Sequence, residues 1–451
     1  MHRRHLLKLL AAVPLAACTA APRAAPPTPA RPTPGPRPGL YVDAGYEYGP
    51  ISPLVYGTNT GPWQTVGLEQ IPLSKAAGIS AIRWPGGNWG DENDVTERQL
   101  EEFIALCRQI GAEPIVHVRL FGGSPERAAA LVRTANVQRR YGVRYWAVGN
   151  EPDLYVTKRG AASYTAADYA RDFQAYRAAM KVMDASIVVM GPEISQYSDA
   201  TSYPVDATGV PWMEGFLRAV PDVEQVSFHR YPFGDPPATP ETLAAEPPAW
   251  TRAMESLRAQ IRRATGRDIP IAVTEANSDW TGRTDPQAGT DSHRNALWWA
   301  DVLGRLIRAQ ATIVAQFCMG AIPSQGIGMF GPLAYDPGPR PIYQVYALYR
   351  MFGTRLVHAS SDDDRLPLTA ARREDGTLTL VVVNHADEPR SAALSLNGLR
   401  PAGPAEVWSF ADGHPMERRG TADLARPIPF EARSATLMVV GGTADRKRIN
   451  G

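Results

Sequence analysis

The chain has 451 residues, with 47 Lys plus Arg against 46 Asp plus Glu and a formal net charge of +1 at pH 7. That balance, without a long basic run, leaves no electrostatic footprint for nucleic acid. The length exceeds one average domain but suits a barrel of about 250 residues with a smaller partner.

The first residues read as an address. Arg3-Arg4-His5-Leu6-Leu7-Lys8 precedes an apolar run from Leu9 to Ala17, and Leu15-Ala16-Ala17-Cys18 matches a bacterial lipoprotein box in which Cys18 is lipidated. Residues 1–18 are thus a lipoprotein signal peptide, and the paired arginines resemble a twin-arginine signal for export after folding. A plain cleaved secretory signal is the alternative, and both place the protein at the cell surface or beyond it. The apolar run is too short for a permanent membrane span, so the membrane is met through the lipid only. Residues 19–39 alternate Pro, Ala, Arg and Thr with no apolar period, which predicts an extended tether.

Beyond the tether, residues 40–48 are strand-like, and Leu54 to Asn59 is the first candidate barrel strand. An alternation follows: helix 67–78, strand 79–84, helix 96–111 with Thr96 as cap, strand 114–120, helix 125–141, and then the apolar run Tyr145-Trp146-Ala147-Val148. Helix 166–184 precedes strand 187–190, and helix 211–220 precedes strand 226–229. A long helical segment ending near Gly266 precedes Ile269 to Glu275, helix 292–310 precedes strand 312–319, and helix 342–352 closes the series. Eight strands alternating with helices define a (β/α)8 barrel over residues 49–354. From about Arg355 to residue 443 short strand-like runs separated by Gly, Asp and Pro turns predict an antiparallel β-sandwich. Residues 40–48, having no barrel role, are expected to pair with it, and residues 444–451 form a polar tail.

Two of the buried strands end in an acid. Gly149-Asn150-Glu151-Pro152 stops the fourth strand, because proline restricts the residue before it and cannot continue a ladder, and Thr274-Glu275 ends the seventh. The carboxyl ends of barrel strands are where catalytic groups sit. A pair of glutamates there matches glycoside hydrolysis, in which one carboxyl protonates the leaving oxygen and the other attacks the anomeric carbon or activates a water. Arg83, at the end of the second strand, could hold Glu275 ionised. Sugar sites also use aromatic faces, and Trp63, Trp84, Trp89 and Trp280 fall in loops after strands one, two and seven, with Asn88 in the same loop as Trp84 and Trp89. Trp298 and Trp299 read as core. Cys107 and Cys318 read as small buried hydrophobes, with a disulfide as the alternative. No Cys/His cluster has metal-ligand spacing, and no cofactor is implied.

Asn150-Glu151-Pro152 and Thr274-Glu275, with Ile51 to Asn59, Arg83-Trp84-Pro85-Gly86-Gly87-Asn88 and His229-Arg230-Tyr231, resemble the barrel-fold clan A of retaining glycoside hydrolases, in particular families 51, 39 and 44. The resemblance covers roughly residues 40–440. It implies that Glu151 is the general acid/base and Glu275 the nucleophile. It further implies that Asn150 hydrogen-bonds the sugar 2-hydroxyl, that Tyr231 orients the nucleophile and that His229 lines the site. One departure is that the eighth strand ends in Gln316-Phe317-Cys318-Met319 without tryptophan, so that the platform clan members often carry beneath the reacting sugar is missing or replaced by Phe317 or Met319. The resulting expectation is a surface-anchored retaining enzyme of arabinofuranosidase, xylosidase or endoglucanase type acting on plant-type or microbial polysaccharide or oligosaccharide. A non-catalytic carbohydrate-binding lipoprotein is the alternative.

Overall fold

The computed structural model describes residues 37–198, 204–322, 325–334 and 336–444. Cys18, the expected signal peptide, nearly all of the expected tether and nearly all of the expected polar tail lie outside the described residues. Strand β1 (Leu40–Pro50) is followed by eight parallel strands: β2 (Gly57–Asn59), β3 (Ala81–Trp84), β4 (Glu113–Val118), β5 (Tyr145–Val148), β6 (Val188–Ile194), β7 (Gln225–Arg230), β8 (Ile271–Ala276) and β9 (Ile313–Gln316). Each pairs with the next, and β9 pairs back to β2, so the sheet closes into a barrel.

Helices on the outside cover it. The one at Glu97–Ile110 shows how sequence sets such an element: Thr96 and Gln99 form a capping box, Gly111 ends the helix in the left-handed region at φ 88°, and Leu100, Phe103, Ile104, Cys107 and Ile110 make one buried stripe. The segment expected as one helix over 125–141 is an α-helix only over Pro125–Val132, then widens into a π-helical turn at Arg133–Gln138. Within the barrel, Ala81, Ile115, Ala147, Met190, Ala272 and Ile313 form an apolar layer against which Leu54 and Tyr145 pack. Side chains two residues further along a strand share its inward face, so Arg83, His117 and Thr274 form the next layer toward the carboxyl ends. All three are fully buried. The polar layer above the apolar one is the base of the site.

The C-terminal strands are β10 (Arg355–Ser361), β11 (Leu368–Arg372), β12 (Leu378–Asn384), β13 (Arg390–Ala392), β14 (Leu394–Asn397), β15 (Leu399–Pro401), β16 (Ala405–Ala411), β17 (His414–Ala422), β18 (Ile428–Phe430), β19 (Ser434–Val440) and β20 (Gly442–Ala444). An eight-stranded sheet runs β14-β1-β10-β11-β12-β19-β16-β17, and the pairs β13-β18 and β15-β20 form two short ladders. Pairing is antiparallel except between β1 and β14. Strand β1 thus lies between β10 and β14, with Leu40 opposite Ser361 on one side and Leu394 on the other. One face of the sheet buries Val42, Leu368, Leu380, Val382 and Met438 in a core of its own. Val381, Val383 and Leu437 join the core that also holds Trp298 and Trp299 of the barrel helix His293–Arg308. Cys107 and Cys318 are both buried, and among the described residues neither forms a disulfide.

Candidate active site

Arg83 organises the carboxyl end of the barrel. Its side chain is fully buried, and each terminal nitrogen serves two acceptors. Nη1 donates to Asn59 Oδ1 at 3.1 Å and to Glu275 Oε2 at 3.2 Å, while Nη2 donates to Asn150 Oδ1 at 2.9 Å and to Glu193 Oε2 at 2.8 Å. A planar guanidinium suits this role because its donors are fixed in a fork. Residues from β2, β3, β6, β8 and the end of β5 are thereby locked together.

Glu275 is 6% exposed. The Tyr231 hydroxyl donates to its Oε1 at 2.6 Å. A register shift between Phe228 and His229 sets His229 opposite Glu275, and the ladder of β8 and β9 shifts between Val273 and Ala276. Thr274 therefore reaches Glu193 Oε1 at 2.9 Å while Glu275, its neighbour in sequence, also reaches the interior. Burial pushes the Glu275 carboxyl above the usual range; His229, Arg83 and the Tyr231 hydroxyl work against that push and the charge of Glu151 adds to it.

Glu151 caps the short turn Pro152–Leu154 with φ 50°, in the left-handed region that a residue with a side chain rarely adopts. Such strain gathers at functional positions, where the surroundings over-determine it. Here the surroundings are visible: the Glu151 N–H donates to the Glu193 carbonyl at 2.9 Å. The N–H of Asn150, next to it, donates to Asp91 Oδ2 at 3.2 Å. Asp91 is fully buried and also accepts from the N–H groups of Leu120 and Phe121, from Arg159 and from the Tyr155 hydroxyl. Burial raises its carboxyl, but hydrogen bonding and charge from His117, Arg159 and Tyr155 outweigh that and hold it near 2.

His229 connects the acids. Its Nδ1 lies 3.1 Å from Glu151 Oε1 and 3.8 Å from Glu275 Oε2, and its Nε2 lies 3.3 Å from Glu193 Oε2. Burial lowers the imidazole, but the charge of Glu275 and hydrogen bonds to Glu151 and Glu193 outweigh it and bring it to about 9. One oxygen each of Glu151 and Glu275 and one His229 nitrogen come within 4.8 Å of one another. These three residues could ligate a cation by distance alone. The donor set does not fit one, because the Arg83 guanidinium and a protonated His229 already bring positive charge against Glu275.

A cavity of about 520 Å³ opens above this centre, lined among others by Asn88, Asn150, Glu151, Tyr231, Glu275 and Trp280. Trp280 is 59% exposed on its wall. Asn88 Oδ1 accepts from Asn150 Nδ2 at 3.1 Å and from Arg159 Nη2 at 2.7 Å. Phe317 lines the same cavity and stacks on Trp63 with ring centroids 5.4 Å apart, whereas Met319 is fully buried away from it.

Trp84 requires a correction. Alternation along β3 turns Arg83 inward, so Trp84 faces the opposite way, stacked on Phe103 of the outer helix at 4.8 Å and nearly parallel, and it lines no part of the cavity. Trp63 and Trp89 are also absent from its lining. Glu193 and Asp91 are buried acids of this centre that the sequence pattern does not single out.

No family model matches the chain, and no curated protein matches it. Solved structures do. The α-L-arabinofuranosidase of Thermotoga maritima, solved with arabinose, superposes with a TM-score of 0.70 at 20% identity, covering 89% of this chain and 99% of that one. A xyloglucanase of Paenibacillus polymyxa from glycoside hydrolase family 44, solved with xyloglucan, gives a TM-score of 0.69 at 16% identity, covering 89% and 99%. A bifunctional glucanase-xylanase from a metagenome library gives 0.69 at 17%, covering 90% and 100%. The chain therefore has the fold of these enzymes over almost their whole length: a (β/α)8 barrel joined to a β-sheet domain.

Proposed function

We propose that the protein is a retaining glycoside hydrolase. The observation that carries this reading is the approach of a Glu151 oxygen to a Glu275 oxygen within 4.8 Å. Retaining enzymes place their two carboxyls about 5 to 5.5 Å apart, whereas inverting ones leave about 6.5 to 9.5 Å for a water. In this reading Glu275 attacks the anomeric carbon while Glu151 protonates the departing oxygen. Water then enters, gives a proton to Glu151 and replaces Glu275 at the same carbon. Tyr231 and Arg83 aim and stabilise the attacking carboxylate, and Asn150 presents Nδ2 to the sugar 2-hydroxyl.

The substrate class is a neutral furanoside or pyranoside of plant-type or microbial polysaccharide: an α-L-arabinofuranoside, a β-xyloside or a β-glucan. The arabinose and xyloglucan bound by the structural neighbours support that range. Lipid attachment at Cys18 and work outside the cytoplasm belong to the same proposal, since a polymer too large to import must be cut at the surface.

The test is hydrolysis of nitrophenyl glycosides and dyed polysaccharides by wild type, Glu151→Ala and Glu275→Ala, with azide added to the variants. Azide rescue giving the retained anomer with Glu151→Ala and the opposite anomer with Glu275→Ala is the expected result. Undiminished hydrolysis by Glu275→Ala refutes it as nucleophile. Sugar binding without turnover by wild type hands the case to a carbohydrate-binding lipoprotein.

A further inference from the structure

We propose that Glu193 is a positioning residue that fixes the protonation of His229 and, through it, the proton that His229 shares with Glu151. The inference rests on the hydrolytic reading above for its catalytic consequence, though not for the proton coupling itself. Glu193 is fully buried and cannot touch a substrate. Both its oxygens are nonetheless committed within the reaction centre, Oε1 to Thr274 and Oε2 to Arg83 and His229 Nε2. Its backbone is held in the left-handed region at φ 56°, and its carbonyl accepts the N–H of Glu151. A residue needed only to neutralise Arg83 has no reason to face the imidazole as well.

The groups facing His229 are Glu151 and Glu275 at Nδ1, Glu193 at Nε2 and, through its charge, Arg83. Burial raises the Glu193 carboxyl, but the adjacent Arg83 charge and the His229 hydrogen bond outweigh it and hold it near 2. Glu193 is then an anion throughout the working range and keeps a proton on Nε2. Only Nδ1 remains for exchange with Glu151. When Glu151 has given its proton to the leaving oxygen, the imidazolium donates Nδ1–H to the resulting carboxylate. When water later surrenders a proton to Glu151 and its oxygen bonds the anomeric carbon, the ester to Glu275 breaks and the cycle closes with no net proton change on His229. An uncharged residue at 193 weakens that hold, and the centre loses its proton at lower pH.

The experiment compares full-length wild type with Glu193→Gln, which keeps an acceptor for Nε2 but removes the charge. Imidazole NMR titration, with the His229 signal assigned by its loss in His229→Gln, is measured beside the pH dependence of kcat/KM. The expected result is that the His229 midpoint and the basic limb of kcat/KM both move to lower pH by about one unit or more, the usual effect of losing an adjacent opposite charge. A folded variant with both unmoved overturns the proposal, even if kcat falls, because a purely structural role lowers activity without moving the limb. If Glu193→Gln does not fold, the wild-type titration decides: a doubly protonated His229 at pH 7 supports the proposal, and a neutral one overturns it. A shifted NMR midpoint in a wild type and variant that cleave no glycoside keeps the coupling and refutes the hydrolytic reading. Active enzyme with an unmoved midpoint refutes the coupling alone.

Discussion

The backbone N–H of Glu151 donates to the carbonyl of Glu193 at 2.9 Å, joining the carboxyl ends of adjacent strands through two residues that both hold positive φ. The acid in the cavity is therefore placed by a neighbour that no substrate reaches. The same division runs through the whole centre: some groups, Glu151, Tyr231 and Glu275 among them, face the cavity, and others, chiefly Arg83, Asp91 and Glu193, decide where the cavity-facing groups point.

Tyr231→Phe removes the hydroxyl donated to Glu275 at 2.6 Å without changing the ring. Hydrogen bonds to charged groups contribute about 1.5 to 3 kcal/mol, so kcat/KM on an activated aryl glycoside is expected to fall roughly 10- to 150-fold. The thermal midpoint measured beside it should stay nearly constant. An unchanged kcat/KM removes Tyr231 from the centre.

Arg83→Met leaves Glu193 and Glu275 buried without their shared cation. Breaking a buried ion pair on one side costs about 3 to 5 kcal/mol. The variant should show a marked fall in the urea midpoint as well as loss of turnover, and Arg83→Lys should recover little of either, because an ammonium cannot span four acceptors. Stability equal to wild type contradicts the network.

Stability against pH should decline on both sides of neutrality. The His229 imidazole sits above its ordinary 6.5, at about 9. Its contribution is complete below about 6.5 and lost as pH rises through 9. Glu193 sits below its ordinary 4.5, near 2, so its contribution is present above 4.5 and lost as pH falls toward 2. Denaturant titrations of His229→Gln should lack the alkaline decline.

Trp280→Ala acts on the wall of the cavity and not on its chemistry. Aromatic contacts are worth about 0.5 to 1.5 kcal/mol, so KM for a polymeric substrate should rise by roughly two- to tenfold while kcat on a small aryl glycoside holds. Equal effects on both substrates place Trp280 at the reacting sugar instead.

The barrel was legible because most of its strands are short apolar runs followed by a helical period, and Glu151 and Glu275 stood out because each ends such a run; the first strand is the exception, since Pro53–Val55 forms a 3-10 turn and β2 is only Gly57–Asn59. Glu193 escaped notice for a local reason. Gly191-Pro192 looks like the end of a strand, yet β6 continues through it to Ile194 and carries the acid inward. Asp91 lies on the short helix Gly87–Glu92, whose role as a hub depends on loops distant in sequence. Trp84 was misassigned because its place in a Trp-Pro-Gly-Gly loop outweighed the alternation that turns it outward. In the C-terminal sheet, strand β17 gives no apolar signal because most of its residues are exposed.

Strand β1 sits between β10 and β14, so its partners are made only after the whole barrel has been synthesised. During translation the apolar start of this strand, Leu40, Tyr41, Val42 and Ala44, has no sheet partner until those strands are made. Completion of the sheet is thus a late checkpoint that reads both ends of the described chain at once. A product truncated after residue 354 leaves this edge open to foreign strands, and proteolysis should find it there first.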